Sequence, residues 1–203
     1  GEVSGDLLGA DLIAGLRKIY SGPIELVGVG GEGLQGQGLK SLFDFSELSI
    51  MGITQVLSRL PKLYTLIRRT TAEIIAARPD ILLIIDSPDF THRVAKRVRT
   101  ALPDLPVVNY VCPSVWAWKE YRATRMLGYV DHVLAVLPFE PEVMRTLGGP
   151  ETTYVGHRLI ADPALLEARR LRAGRQPGNG PILLLPGSRS SEIKNLVPYF
   201  EAA

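Results

Sequence analysis

The sequence predicts an α/β fold, a parallel sheet with helices on both faces, and three observations carry that expectation. Short apolar runs rich in Val, Ile and Leu alternate with longer segments of helical period, the pattern of a parallel sheet covered by helices. Most of those runs end in a loop of Gly, Pro, Ser or Asp, residues that turn a chain out of regular structure. The composition is that of an ordinary globular protein: 203 residues, 46% hydrophobic and 22% charged. Disordered, collagen-like and disulfide-scaffold classes are thereby excluded.

Taken in order, residues 1–6 read as a loop leading from a strand into a helix, with the strand itself expected upstream. A helix over 6–20 follows, because Leu7, Leu8, Leu12, Ile13 and Leu16 fall on one stripe. Strands are expected at 25–29, 81–85, 106–111, 132–137, 152–155 and 182–185. A second amphipathic helix over 63–77 places Leu66, Ile67, Ile74 and Ile75 together. Further helices are expected at 90–101, 120–127, 140–147 and 164–172, with a short one after residue 190. Residues 173–181, AGRQPGNGP, hold too many Gly and Pro for regular structure and read as a linker. The division expected is a domain over 1–172, a linker over 173–181 and the opening of a second domain over 182–203.

Charge and cysteine usage narrow the function classes. Lys and Arg total 23 against 21 Asp and Glu, too even a balance for a protein whose main work is coating nucleic acid. Cys112 is the single cysteine, and there are three histidines, which leaves little material for a zinc site and none for an internal disulfide. A reducing, cytoplasmic setting is expected, with no metal and no cofactor. No apolar run approaches the roughly 18 to 20 residues a membrane span needs.

In a doubly wound sheet, ligands gather at the carboxyl ends of the strands. Glu2 and Ser4 in the first loop can face such a ligand, and Asp6 can cap the helix that follows. Asp86 and Asp89 emerge together after the run ILLII, the right place for a general base, with Asp89 open also to a helix-capping role. Ser114, Trp116 and Trp118 follow the next strand; two tryptophans in one loop fit either a pocket wall or a plug over the core. Cys112 reads as a small buried hydrophobe. Ser188 and Arg189 lie between a strand and a helix start, where backbone N–H groups, a hydroxyl and a guanidinium can cradle phosphate. Gly28 to Gly33 matches the dinucleotide pattern Gly-x-Gly-x-x-Gly, but the GLQGQGLK that follows is expected to be too rich in glycine to open a helix. Met51, Ile53, Val56, Leu57 and Leu60 are apolar at helical spacing, flanked by Arg59, Lys62, Arg68 and Arg69. Such a segment suits the surface of an anionic membrane or a core-facing helix with a basic rim.

Seven blocks then carry a resemblance: GEVSGD at 1–6, MGITQVL at 51–57, DSPDF at 86–90, YVCPSVWAW at 110–118, LPFEP at 137–141, YVGH at 154–157 and LPGSRSSEI at 185–193. Together, and in this order, they resemble the lipid-A-disaccharide synthases, glycosyltransferases of bacterial lipid A assembly. The resemblance implies a GT-B architecture of two Rossmann-like halves facing a cleft, of which this chain holds the first half and the opening of the second. It implies transfer of 2,3-diacylglucosamine from UDP to the 6-hydroxyl of 2,3-diacylglucosamine 1-phosphate (lipid X), with inversion, at the inner face of the cytoplasmic membrane. Asp86 matches the family's proposed base, Arg189 its donor-side arginine, Glu2 and Ser4 its first-loop residues, and the 51–63 segment its membrane and acyl contact. The sequence departs from the pattern at Thr91, where asparagine is common, and at Arg158, where a small residue or proline is. The substrates expected are therefore UDP-2,3-diacylglucosamine and lipid X; a homodimer is left open, and the chain alone is expected to be inactive. Other readings on the same architecture are a UDP-sugar epimerase, a transferase with a soluble acceptor, and a non-catalytic nucleotide-sugar-binding module.

Overall fold

The computed structural model describes residues 3–48, 53–173, 183–187 and 190–201, with the backbone alone for 53–60 and 191. The chain forms two compact units, Gly1–Ile160 and Ala161–Ala203. The first carries six strands and six helices among the described residues. In chain order they are α1 (Val3–Ile19), β1 (Val27–Gly28), α2 (Glu32–Gly36), β2 (Lys40–Ser41), α3 (Ile53–Ala77), β3 (Leu82–Ile85), α4 (Pro88–Ala101), β4 (Val107–Tyr110), α5 (Arg122–Met126), β5 (His132–Ala135), α6 (Glu140–Thr146) and β6 (Glu151–Tyr154). Single 3₁₀ turns occupy Phe45–Leu48 and Arg158–Ala161. The second unit carries α7 (Pro163–Arg172) and α8 (Ser190–Glu201).

The strands form two all-parallel sheets, β1-β2 and β3-β4-β5-β6. Leu82 pairs with Val107 and Ile85 with Tyr110, so the carboxyl ends of β3 and β4 lie level. Each crossover passes through a helix, as parallel pairing requires. The larger sheet buries Val107, Val133 and Ala135 completely. Over it, α4 lays Phe90, Val94, Ala95 and Val98, spaced one helical turn apart and all buried. Leu66, Ile67 and Ile74 of α3 join the same core, and Phe43 meets Phe90 edge to face at 6.2 Å. At the opposite, amino end of the strands, Asp131 accepts the Val107 N–H at 2.7 Å and pairs with Arg99.

Four expectations change. The helix expected from residue 63 begins at Ile53 and runs through Pro61, which costs one backbone donor but does not stop a helix anchored by the buried stripe beyond it. The glycine-rich segment does open a helix, α2, for a reason local sequence does not reveal. The buried Asp6 carboxylate accepts from Gly31 and Gly33 N–H at 2.7 Å and from Leu34 N–H at 3.2 Å, supplying from α1 the cap that α2 lacks. Asp6 thus lies inside α1 and caps α2, not its own helix. A β-carbon at Gly31 would stand 2.8 Å from Asp6 Oδ2, so the loop must be glycine to close on the carboxylate. Finally, Leu183–Leu185 form no strand and are exposed, since no neighbouring strand among the described residues pairs their backbone groups.

Candidate functional site

The loops after β3 and β4 meet at the carboxyl edge of the larger sheet, and both are strained. Asp86 and Ser87 are left-handed in succession, with φ of 51° and 46°, and Val111 has φ of 77°. Side chains with a β-carbon resist this region, and a β-branched one most of all. Three such residues on adjacent strand ends persist only because their surroundings hold them, as is common where a fold places reactive groups.

The restraints are visible. Asp86 N–H donates to the Tyr110 carbonyl at 3.3 Å, tying the β3 loop to β4. The Thr91 hydroxyl lies 2.7 Å from the Asp86 carbonyl and 3.1 Å from that of Ser87, so α4 grips both left-handed residues. Thr91, where the resemblance leads one to expect asparagine, forms its own bonds to the elbow. Gly5, on the first turns of α1, packs directly on Asp86; a β-carbon there would lie 3.4 Å from Asp86 Cβ and 3.8 Å from Oδ2. The Asp86 side chain is half-buried, while Asp89 is exposed on the first turn of α4. No side chain caps α4; its first residue is proline, and the Phe90 and Thr91 N–H groups donate to the Ser87 carbonyl at 2.9 and 3.0 Å.

The loops after β5 and β6 have ties of their own. Buried Glu140 accepts the Val136 and Leu137 N–H groups at 2.9 and 2.8 Å, clamping the loop after β5 as Asp6 clamps that before α2. Burial outweighs these bonds and raises the proton affinity of Glu140. Beyond β6, Arg158 pairs with Asp11 of α1 at 2.9 Å, so this departure from the expected small residue adds a tie between the last loop and α1. The buried Cys112 thiol is pushed up to about 12 by burial and by Glu140, which makes it inert as a nucleophile.

The remaining predicted residues divide as follows. Ser4 is exposed on α1 and Ser114 is exposed after β4. The two tryptophans part company: Trp116 packs on the core and meets Phe139 edge to face at 5.1 Å, whereas Trp118 is 59% exposed with Lys119 Nζ 3.7 Å over its ring. Glu2, Met51, Ser188 and Arg189, and most of the 173–181 segment, lie outside the described residues. Ile53, Val56, Leu57 and Leu60 fall on the start of α3, where the backbone alone is described. The N-terminus of α2, where a dinucleotide phosphate would sit, is filled by Asp6. Among the described residues no cluster of His, Cys, Asp and Glu is arranged to hold a metal ion, and no helix is long and apolar enough to cross a membrane.

Sequence reading passed over two side chains of this edge. Asn109 is 1% exposed in the middle of β4 and donates from Nδ2 to the Val111 carbonyl at 2.9 Å. His92, on α4, bonds through Nδ1 to the Tyr129 hydroxyl at 2.9 Å. A lone amide inside an apolar strand was a readable signal; the histidine offered none.

A parallel, Rossmann-like α/β domain with strained, carboxylate-bearing loops at the carboxyl edge of its sheet is consistent with one half of a GT-B-type fold. The family model for lipid-A-disaccharide synthetase matches residues 1–203. A lipid-A-disaccharide synthase of Nitrobacter winogradskyi is 52% identical over 200 residues, covering 98% of this chain and 50% of its own length. That of Rhodopseudomonas palustris is likewise 52% identical, over 98% of this chain and 51% of its length. That of Bradyrhizobium diazoefficiens is 50% identical over all of this chain and 52% of its length. The chain belongs to the lipid-A-disaccharide synthetase family, and it spans about half the length of these curated relatives.

Proposed function

We propose that the protein containing this chain transfers 2,3-diacylglucosamine from UDP to the 6-hydroxyl of lipid X, giving the β(1→6) disaccharide 1-phosphate and UDP. The observation that carries the reading is Asp86, a carboxylate on a doubly left-handed elbow at the sheet edge of a chain in this family. In this reading Asp86 takes the proton of the acceptor hydroxyl, whose oxygen bonds to the anomeric carbon as the bond to UDP breaks from the opposite face, which inverts the centre. Asp89, exposed one turn along, adds negative charge on the acceptor side. Ser188 and Arg189 stabilise the departing diphosphate, and Glu2, Ser4, Ser114, Trp116 and Trp118 border the cleft. The domain boundary at 172 and the linker over 173–181 belong to the same proposal.

The reading also places the protein on the inner face of the cytoplasmic membrane, with residues 51–63 against acyl chains. It is supported by the exposed cations that continue that helix, Lys62, Arg68 and Arg69, and by exposed Tyr64, over which Arg68 and Arg97 both stack. Basic side chains beside amphipathic aromatics suit an anionic headgroup layer. The test is a transfer assay on the full-length protein with UDP-2,3-diacylglucosamine and lipid X in detergent, with and without EDTA. Disaccharide formed under both conditions supports the reading. UDP release without disaccharide assigns another acceptor, and no turnover favours the non-catalytic binding module.

A further inference from the structure

The loop after β5 is closed by a buried charge. Glu140 is 1% exposed, yet its carboxylate serves only backbone among the described residues. Oε2 accepts the N–H groups of Val136 and Leu137 at 2.9 and 2.8 Å, while the Glu140 N–H donates to the Leu137 carbonyl at 3.3 Å. Burying a carboxylate is costly; charge-assisted bonds to two successive N–H groups give in return a loop of one fixed shape. What that loop carries is Phe139, the residue before Glu140, with its ring 46% exposed. A phenylalanine on an open loop spreads among rotamers, but here the backbone is clasped and Trp116 stands against the ring, edge to face at 5.1 Å and 87°. Trp116 belongs to the loop after β4, which is tied to β5 a second time by the Val111 N–H on the Leu134 carbonyl at 3.0 Å. Pairing of Ile85 with Tyr110 and of Tyr110 with Leu134 sets the ends of β3, β4 and β5 side by side. The right-angled pair of rings therefore belongs to the same sheet edge as Asp86.

We propose that Glu140 is a positioning residue for acceptor binding: by clasping residues 136–140 it sets Phe139 against Trp116, and the aromatic corner so formed receives the sugar ring of the acceptor. A pyranose has an apolar face of C–H bonds that packs on an aromatic ring and leaves its hydroxyls free. Strand β5 lies two strands from β3, about 10 Å at the usual spacing, a distance that a hexose with its substituents crosses when its reacting hydroxyl is at Asp86. Glu140 touches no substrate; it acts through Phe139. As a statement about the acceptor this rests on the transfer reading above, whereas the clasp stands apart from it.

The experiment therefore has two arms on the full-length protein. In the first, ¹⁹F NMR of protein labelled with 5-fluorotryptophan, with Trp116→Phe identifying the signal, reads the clasp without any transfer. Glu140→Leu is expected to move or broaden the Trp116 signal, and Glu140→Gln, whose Oε1 still accepts both N–H groups, to leave it in place. An unmoved signal in Glu140→Leu overturns the clasp. Should Glu140→Leu fail to fold, Glu140→Asp, which shortens the reach by one methylene, takes its place with the same expectations. In the kinetic arm Phe139→Leu and Glu140→Leu are each expected to raise the KM for lipid X by about tenfold, with the donor KM and kcat within about threefold. The double variant is expected to be no worse than either alone, because both act on one contact, and Glu140→Gln to stay within about threefold of the unsubstituted protein. An unchanged KM for lipid X in Phe139→Leu, equal losses in Glu140→Gln and Glu140→Leu, or a loss confined to kcat overturns the positioning role. The KM ratio is expected to be the same for lipid X analogues with shorter acyl chains; a ratio that falls with chain length assigns Phe139 to an acyl chain and overturns the sugar contact. Absence of transfer by the unsubstituted protein defeats the functional reading instead, and the NMR arm still judges the clasp.

Discussion

The Thr91 hydroxyl donates to the Asp86 carbonyl at 2.7 Å, so the first turn of α4 secures the left-handed backbone from which the proposed base projects. Thr91→Val keeps the shape and removes the donor. It is expected to cost about 1 kcal/mol in denaturant unfolding and to lower transfer by about tenfold through loss of position. Thr91→Ser restores the hydroxyl and should restore most of both. A valine variant with unaltered stability and rate would show that the elbow holds without this bond.

Gly5 bears on Asp86 from the other side. At 3.4 Å from Asp86 Cβ a methyl group makes ordinary contact, so Gly5→Ala should fold and turn over much as the unsubstituted protein does. Gly5→Val extends the side chain toward the carboxylate and should reduce kcat by about a hundredfold by displacing it, with the circular dichroism spectrum retained. Equal activity of the two variants would remove Gly5 from the site.

Asp6 is predicted to matter for stability and not for chemistry. Asp6→Ala orphans the Gly31, Gly33 and Leu34 N–H groups, at a cost of roughly 2 to 4 kcal/mol. The check is hydrogen exchange: those three amides should lose protection ahead of the amides of β4. Unchanged protection there would mean α2 is held by something else.

His92 predicts an acid-side loss of stability with a definite sign. Its folded value is lowered from 6.5 to about 4, so the unfolded chain binds the proton first as pH falls. Stability is intact above about pH 6.5 and declines between there and pH 4, by up to about 3 kcal/mol. Glu140 acts in the opposite direction: its proton affinity is raised in the fold, so acid relieves part of its burial cost. The difference between unsubstituted protein and His92→Gln isolates the histidine, and a difference that stays flat across this window would contradict the neutral buried ring.

What was legible in the sequence follows from what local pattern can encode. Strands β3, β4 and β5 lie inside the runs expected because their β-branched residues end at turn-formers, and the Leu66–Ile67–Ile74 stripe announced the buried face of α3. Asp86 was found because a carboxylate closing an apolar run marks a strand end. Its left-handed conformation was hidden, since Asp86-Ser87 contains no glycine and the restraints come from Thr91 and Tyr110. Helix α2 was hidden for the same kind of reason, its cap lying about twenty-five residues upstream in Asp6. Trp116 and Trp118 share a loop yet differ in burial, which depends on Phe139 from the loop beyond β5.

The central claim is that the Asp86 carboxylate removes the proton of the acceptor hydroxyl. Asp86→Asn in the full-length protein tests it most directly, assayed by disaccharide formation alongside binding of UDP-2,3-diacylglucosamine. The account predicts donor binding close to that of the unsubstituted protein and a loss of transfer of at least about a hundredfold. Near-normal turnover in that variant would contradict it and move the base elsewhere on the sheet edge.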